Sequence, residues 1–352
     1  MGQGPTTTGA HGDDAHGPSL EISIALRPTA QSHKHIALAE ELGYSRAWLF
    51  DGPHNSRDVW HTLSKAAERT SRIGLGPGVL VPSLRHPIVN ASQTAALASV
   101  APGRVSVAFG TGFVSRAALG QPPIHWSYMR KYIKAYRDLL AGKATEWDGA
   151  LVKLMSDADG LDIELPIQVP LYISALGPRG DQFAKELHAD GIFGIGQPTA
   201  NMPDYQRAAL LVWGTVLDPG ELTTDPRVER AAGPAWAVAY HFSNALGGAD
   251  AVKGYPGGPE WLKVIEAVDV RERHLAVHDG HLARMNLADE AAWQAGGHQI
   301  LEQVTISGTP DKVREHVGQF AAAGVTEIVY QPIGPDIERE MLILKTVLDN
   351  AS

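Results

Sequence analysis

Histidine exchanges protons near neutrality, and two histidines in this sequence stand where an apolar run ends, His54 in "FDGPHN" and His241 in "AVAYHF". Either suits the role of proton donor to a substrate. Three more, His274, His278 and His281 in "RHLAVHDGHLARM", recur at i, i+4 and i+7, one face of a helix on which two imidazoles could share a metal ion. Gly280 interrupts that helix and Asp279 would point off its face, which argues against a metal and leaves pocket lining or a solvated or packed helix as the readings of these three. Glycine-rich turns supply the other chemistry. "FDG" holds Asp51, "FGTGF" holds Thr111 and Gly112, "SALGPRG" holds Ala175, Leu176 and Gly177, and "GIGQP" holds Gly196 and Gln197. Glycine lets the backbone approach a ligand, and a helix starting near Gly180 would aim free amides at a phosphate. The chain lacks GxGxxG with a following acid, the Walker motif, HExxH and GxSxG. It has no cysteine, which excludes disulfides, thiolate metal ligation and a cysteine nucleophile.

These turns need elements to hold them. "EISIAL", "RAWLFD", "RIGLGPGVLVP", "RVSVAFG", "VPLYISA", "DGIFGIG", "PAWAVAYHF" and "VTEIVYQ" read as eight strands, most of them followed by a helical pattern. Such alternation implies right-handed βαβ units and a parallel sheet, and eight units in 352 residues predict an α/β protein, a (β/α)8 TIM barrel. In that fold the strands' carboxyl ends carry the chemistry, and the turns above all lie there. Insertions are expected after strands four and seven. Residues 112–166 hold the helix "WSYMRKYIKAYRDLLAG" and the strand-like "ATEWDGALVKL", and residues 243–300 hold extra helices.

Residues 1–18 are small and polar and read as a flexible tail, with His11 and His16 solvated; residues 19–352 read as a single barrel domain. A net charge of −9 argues against nucleic acid or anionic lipid as partner. No run approaches the ~20 apolar residues of a membrane span, and the start lacks a signal-peptide layout. A cytoplasmic protein acting on a small molecule is the expectation.

The third strand is anomalous. Gly74, Gly76, Pro77, Gly78 and Pro82 are threaded through an apolar run, although glycine and proline weaken strand interiors. This stretch running into "RHP", together with "AEELGYSRAWLFDG", "GRVSVAFGTG" and "SGTPDKVREHVGQFAAAGVTEIVYQP", resembles the luciferase-like superfamily of flavin-type oxidoreductases. It is most similar to the branch using the deazaflavin coenzyme F420, over most of residues 21–196 and 304–349. The resemblance implies a bulge at Gly78–Val79 with a non-prolyl cis peptide, its backbone pressed on the coenzyme ring. It also implies that Asp51, Val81, Thr111 and Gly112 lie around that ring. Ala175, Leu176, Gly177, Gly196 and Gln197 would then hold the phosphate. Sugar-phosphate dehydrogenases of that branch carry a histidine and a glutamate where this chain has Gly52 and Phe113, which argues against their chemistry.

The activity so implied is hydride transfer between the deazaflavin C5 and a small organic substrate, as a reductase of a C=C, C=N or C=O bond. His54 and His241 would donate the proton, and Trp60, Phe113 and Trp126 would form apolar pocket walls. The alternatives are an FMN-dependent monooxygenase on the same barrel and a barrel that binds coenzyme without turnover. A homodimer is common in the superfamily.

Overall fold

Strand β1 (Glu21–Leu26) begins an alternation that continues through α1 (Ser32–Glu41), β2 (Arg46–Leu49), α2 (Val59–Ala67), β3 (Gly74–Pro77), α3 (Pro87–Val100) and β4 (Val107–Phe109). A short α4 (Phe113–Ala117), a long α5 (Trp126–Leu140) and the antiparallel hairpin of β5 (Thr145–Trp147) and β6 (Ala150–Val152) follow. The barrel resumes with β7 (Leu171–Ile173), α6 (Pro178–Glu186), β8 (Gly191–Ile195) and β9 (Ala208–Trp213). The second insertion carries α7 (Pro226–Trp236), α8 (Val238–Lys253), α9 (Gly258–Glu266), α10 (Arg273–Val277), α11 (Leu287–Gln294) and α12 (Leu301–Val304). The chain ends with α13 (Pro310–Ala322), β10 (Glu327–Gln331) and α14 (Ile337–Asp349). The structure, a computed structural model, describes residues 20–160 and 163–350; the tail read over residues 1–18 lies outside the described residues.

Eight parallel strands pair in the order β3-β2-β1-β10-β9-β8-β7-β4. The ring is completed between β3 and β4 by parallel bridges at Leu75–Val105 and Leu80–Phe109. This is the expected (β/α)8 barrel. The spacing of the two bridges shows what the glycines do: five residue steps on one strand (75 to 80) face four on the other (105 to 109), so the third strand carries one extra residue. That is a bulge. The Gly78–Val79 peptide within it is cis, as the resemblance implied.

Packing accounts for the individual glycines. A Cβ on Gly78 would sit 2.9 Å from the Trp48 ring inside the barrel, and one on Gly76 would overlap the Ser106 carbonyl. Trp48 fills the barrel's interior, edge-on to Tyr172 and Phe193 at 5.3 and 5.4 Å, and its indole N–H donates to Glu327 at 2.9 Å. The motifs that carried the resemblance also have local reasons. In "RHP", His86 caps α3 by accepting from the Ile88 amide and Pro87 opens the helix; in "GTPDKV", Thr309 and Pro310 do the same for α13.

The seventh strand differs from the sequence reading. "PAWAVAYHF" is helical, divided between α7 and α8, and the strand is instead β9. All six residues of β9 are buried, so "AALLVW" has no polar alternation to betray it. Only a helical turn at Met202–Asp204 separates β8 from β9. The second insertion therefore starts just after Trp213, earlier than residue 243. It has its own apolar cluster around Trp236, Tyr240, Trp261 and Trp293, separate from the barrel core. Among the described residues no helix is long and apolar enough to cross a membrane.

Candidate active site

The carboxyl ends of the strands surround a cavity of about 640 Å³ with a predominantly apolar lining. Asp51, just past β2, is part of its lining and is buried. Arg85 donates to both of its carboxylate oxygens at 2.7 Å and the Val81 amide adds a longer contact of 3.4 Å. Burial pushes the Asp51 carboxyl up, and Arg85 pulls against it. The Asp51 carbonyl accepts from Ser115 in α4 at 2.8 Å.

The bulge forms another part of the lining through Gly78, Val79 and Val81. The end of β4 is shaped to admit it. A Cβ on Gly110 would come within 2.5 Å of the Val79 side chain, and one on Gly112 within 2.6 Å of Val81. Gly112 also has φ of +84°, the left-handed region where glycine is at ease. The glycines of "FGTG" are thus the complement of the bulge's valines.

Beyond β7, Leu176, Gly177, Arg179 and Gly180 line the cavity at the start of α6. Gly177 is the N-cap residue, no side chain caps this helix, and a Cβ there would meet nothing within 4 Å. The cradle is open, with the positive end of the helix behind it. The long insertion adds Val238 and Phe242 of α8, together with His281 and Leu282, to the lining. Phe242 stacks on Phe113, ring centres 4.3 Å apart and planes within 8°.

The sequence model of the family described as luciferase-like monooxygenase matches residues 6–327. The chain belongs to this luciferase-like family. It is 27% identical over 319 residues to a 5,10-methylenetetrahydromethanopterin reductase of Archaeoglobus fulgidus, covering 88% of this chain and 92% of that one. An F420-dependent glucose-6-phosphate dehydrogenase of Kineococcus radiotolerans is 26% identical over 346 residues, 93% and 95% of the two chains. Among solved structures, the F420-dependent tetrahydromethanopterin reductase of Methanopyrus kandleri superposes with a TM-score of 0.64 at 20% identity, over 95% of this chain and 99% of the other. That match supports the fold.

In this luciferase-like barrel the cavity gathers most of the residues singled out from the sequence: Asp51, His54, Gly78, Val79, Val81, Thr111, Gly112, Phe113, Trp126, Leu176 and Gly177. Others lie elsewhere. Trp60 is buried behind the rim in α2, where its N–H donates to Asn90 at 3.0 Å. Ala175 is buried against Gly180, and Gly196 and Gln197 follow β8 outside the lining.

His241 sits on a helix rather than at a strand end and is 1% exposed, one layer behind the wall. It lies between Asp289, whose Oδ1 is 3.0 Å from Nε2, and His281, whose Nδ1 is 3.0 Å from Nδ1. His281 is the member that reaches the cavity. Burial, reinforced by His241 and His54, lowers the pKa of His278 to about 3, and burial drives His281 well below the ordinary imidazole range. His274 is apart from this group, beside Gly120. Sequence reading missed Phe242 and Arg85's grip on Asp51, while the pocket-lining reading of the three histidines holds for His281. "RHP" marked the position of Arg85, but no local signal paired it with Asp51.

Proposed function

We propose that the chain is an F420-dependent oxidoreductase that moves a hydride between C5 of the deazaflavin and a small organic substrate, as a reductase of a C=C, C=N or C=O bond. The observation that carries this reading is the bulge between β3 and β4, which sets the backbone of Gly78 and Val79 against the cavity with no side chain from Gly78 intervening. A flat ring needs such a wall. The open cradle at Gly177 suits a phosphate and the apolar lining suits an aromatic ring, so the residues present fit this coenzyme. The relatives' names point the same way, one being an F420-dependent dehydrogenase.

When bound, the coenzyme supplies the hydride donor or acceptor. The chain supplies the rest. Val79 and Val81 place the ring, Asp51 is held in one rotamer by Arg85, and the Phe113–Phe242 stack excludes water. His54, on the rim, delivers or removes the proton that accompanies reduction. His241 reaches the cavity only through His281.

Equilibrium binding of F420 and of FMN, followed by oxidation of reduced F420 across carbonyl, imine and activated alkene substrates, tests the proposal. Tight F420 binding with substrate-dependent oxidation is expected, with a loss of about 10²-fold or more in His54→Asn. Binding of FMN alone would favour the monooxygenase reading. F420 binding without turnover would favour a barrel that only carries coenzyme.

A further inference from the structure

The long insertion brings three histidines to one buried point. His241 comes from α8, His278 follows α10 and His281 lies in the turn after it, 37 to 40 residues from His241 in sequence. One ring nitrogen of each lies within 4.8 Å of the other two. The ring centres form a near-equilateral triangle with sides of 5.3, 5.5 and 5.7 Å. Zinc–nitrogen bonds of about 2.0–2.1 Å in a tetrahedral site set ligand nitrogens about 3.3 Å and ring centres about 5 Å apart. The cluster has nearly those dimensions.

Hydrogen bonding leaves the cluster incomplete. Asp289 Oδ1 can only accept, and it takes the N–H of Trp261 at 2.9 Å and that of His241 Nε2 at 3.0 Å. A neutral His241 therefore turns a bare Nδ1 lone pair toward His281. A proton on His281 Nδ1 could satisfy that contact, but His278 Nδ1 is buried with no partner among the described residues. A buried nitrogen without a partner is costly. The Asp289 carboxylate stands to His241 as second-shell carboxylates stand to metal-bound imidazoles, and its other oxygen is fixed by the Asn286 amide at 3.1 Å.

We propose that His241, His278 and His281 bind a divalent transition cation of the zinc class, oriented through Asp289, which pins α8 and the segment from α10 to α11 together beside the cavity. Three imidazoles leave one coordination position for water or a substrate oxygen, and His281 brings the site to the cavity wall. The i, i+4, i+7 spacing groups His274 with His278 and His281, and a metal was not expected of that trio; His274 lies beside Gly120, and it is His241 of α8 that joins the other two.

The test is metal binding by the full chain, which is independent of any coenzyme. Chelator-stripped protein without an affinity tag is titrated with Zn²⁺ against a competing dye and with Co²⁺ by visible absorption. One equivalent of each is expected, with intense tetrahedral cobalt bands. Asp289→Asn should weaken zinc by about 10–100-fold, and His278→Ala and His278→Gln should each weaken it more. Metal-free His278→Gln should melt close to metal-free wild type, because the buried His278 Nδ1 has no partner to lose, whereas His278→Ala adds the cost of a small buried cavity with or without metal. A His11→Asn/His16→Asn variant should keep the full site. Failure of stripped wild type to bind either ion below about 10 µM would overturn the proposal. So would unchanged binding in both His278 variants, or loss of binding in the tail variant.

Discussion

Arg85 closes on Asp51 with one guanidinium nitrogen 2.7 Å from each carboxylate oxygen, while its second terminal nitrogen reaches Asp58 at 3.0 Å. Asp58 is the N-cap of α2, so one side chain ties the end of β2 to the helix that follows. The backbone of Arg85 is held from behind: Trp60 donates to Asn90, Asn90 to Tyr132 and Tyr132 to the Arg85 carbonyl. Trp60, expected as a pocket wall, instead helps to position the residue that positions Asp51.

Arg85→Ala should therefore cost about 3 kcal/mol or more, because it leaves a buried carboxylate without its cation. Asp51→Asn should cost less. Urea unfolding of the two single variants and the double variant measures the coupling; a coupling near zero would mean that Asp51 does not depend on Arg85 for its charge.

Gly78→Ala is expected to destabilise the barrel by about 1–3 kcal/mol, since the new methyl meets the Trp48 ring. Trp48→Phe should reduce that penalty when the two are combined. Additive costs in thermal unfolding would show that Trp48 is not what demands glycine here.

A Cβ on Gly177 would meet no neighbour within 4 Å, so Gly177→Val should cost no more than about 1 kcal/mol, the scale of a poorer N-cap. It should weaken intact F420 while leaving a tail-less deazaflavin riboside unaffected. Equal weakening of both ligands would remove the cradle from the phosphate. Gly180→Val is a poorer probe, because a Cβ there would sit 3.0 Å from the Ala175 backbone.

Glu40 accepts the amides of Ser71, Arg72 and Ile73 at 3.0, 2.6 and 2.8 Å, which fixes the approach to β3. Burial raises its pKa, but these three bonds outweigh it and hold the carboxyl below the ordinary value. Its folded pKa is thus lower than its unfolded one, so its stabilisation is complete above the unfolded value near pH ~4.3 and is lost as pH falls through the folded value. The gap in melting temperature between wild type and Glu40→Ala should be constant near neutrality and close on acidification. A gap that persists at pH 2.5 would assign the effect to packing.

Much of this protein is local, and that part the sequence determined by itself. Strand and helix alternation, the helix starts at Pro87 and Pro310, the glycine-rich turns and the anomalous third strand all rest on short-range backbone preferences, which adjacent residues express. The strand character of "ATEWDGALVKL" in the first insertion was legible for the same reason, though not its antiparallel pairing. The tertiary structure decided what depends on distant partners. "AALLVW" is a strand because both its faces are buried, whereas "PAWAVAYHF" is helical within the insertion's own core. Gly78 is glycine because Trp48, thirty residues earlier, occupies the space a Cβ would need. Asp51 meets Arg85 across 34 residues and His241 meets His281 across 40. Such encounters are set by the closure of the barrel and the folding back of its long insertion, and side-chain periodicity within one element carries no record of them.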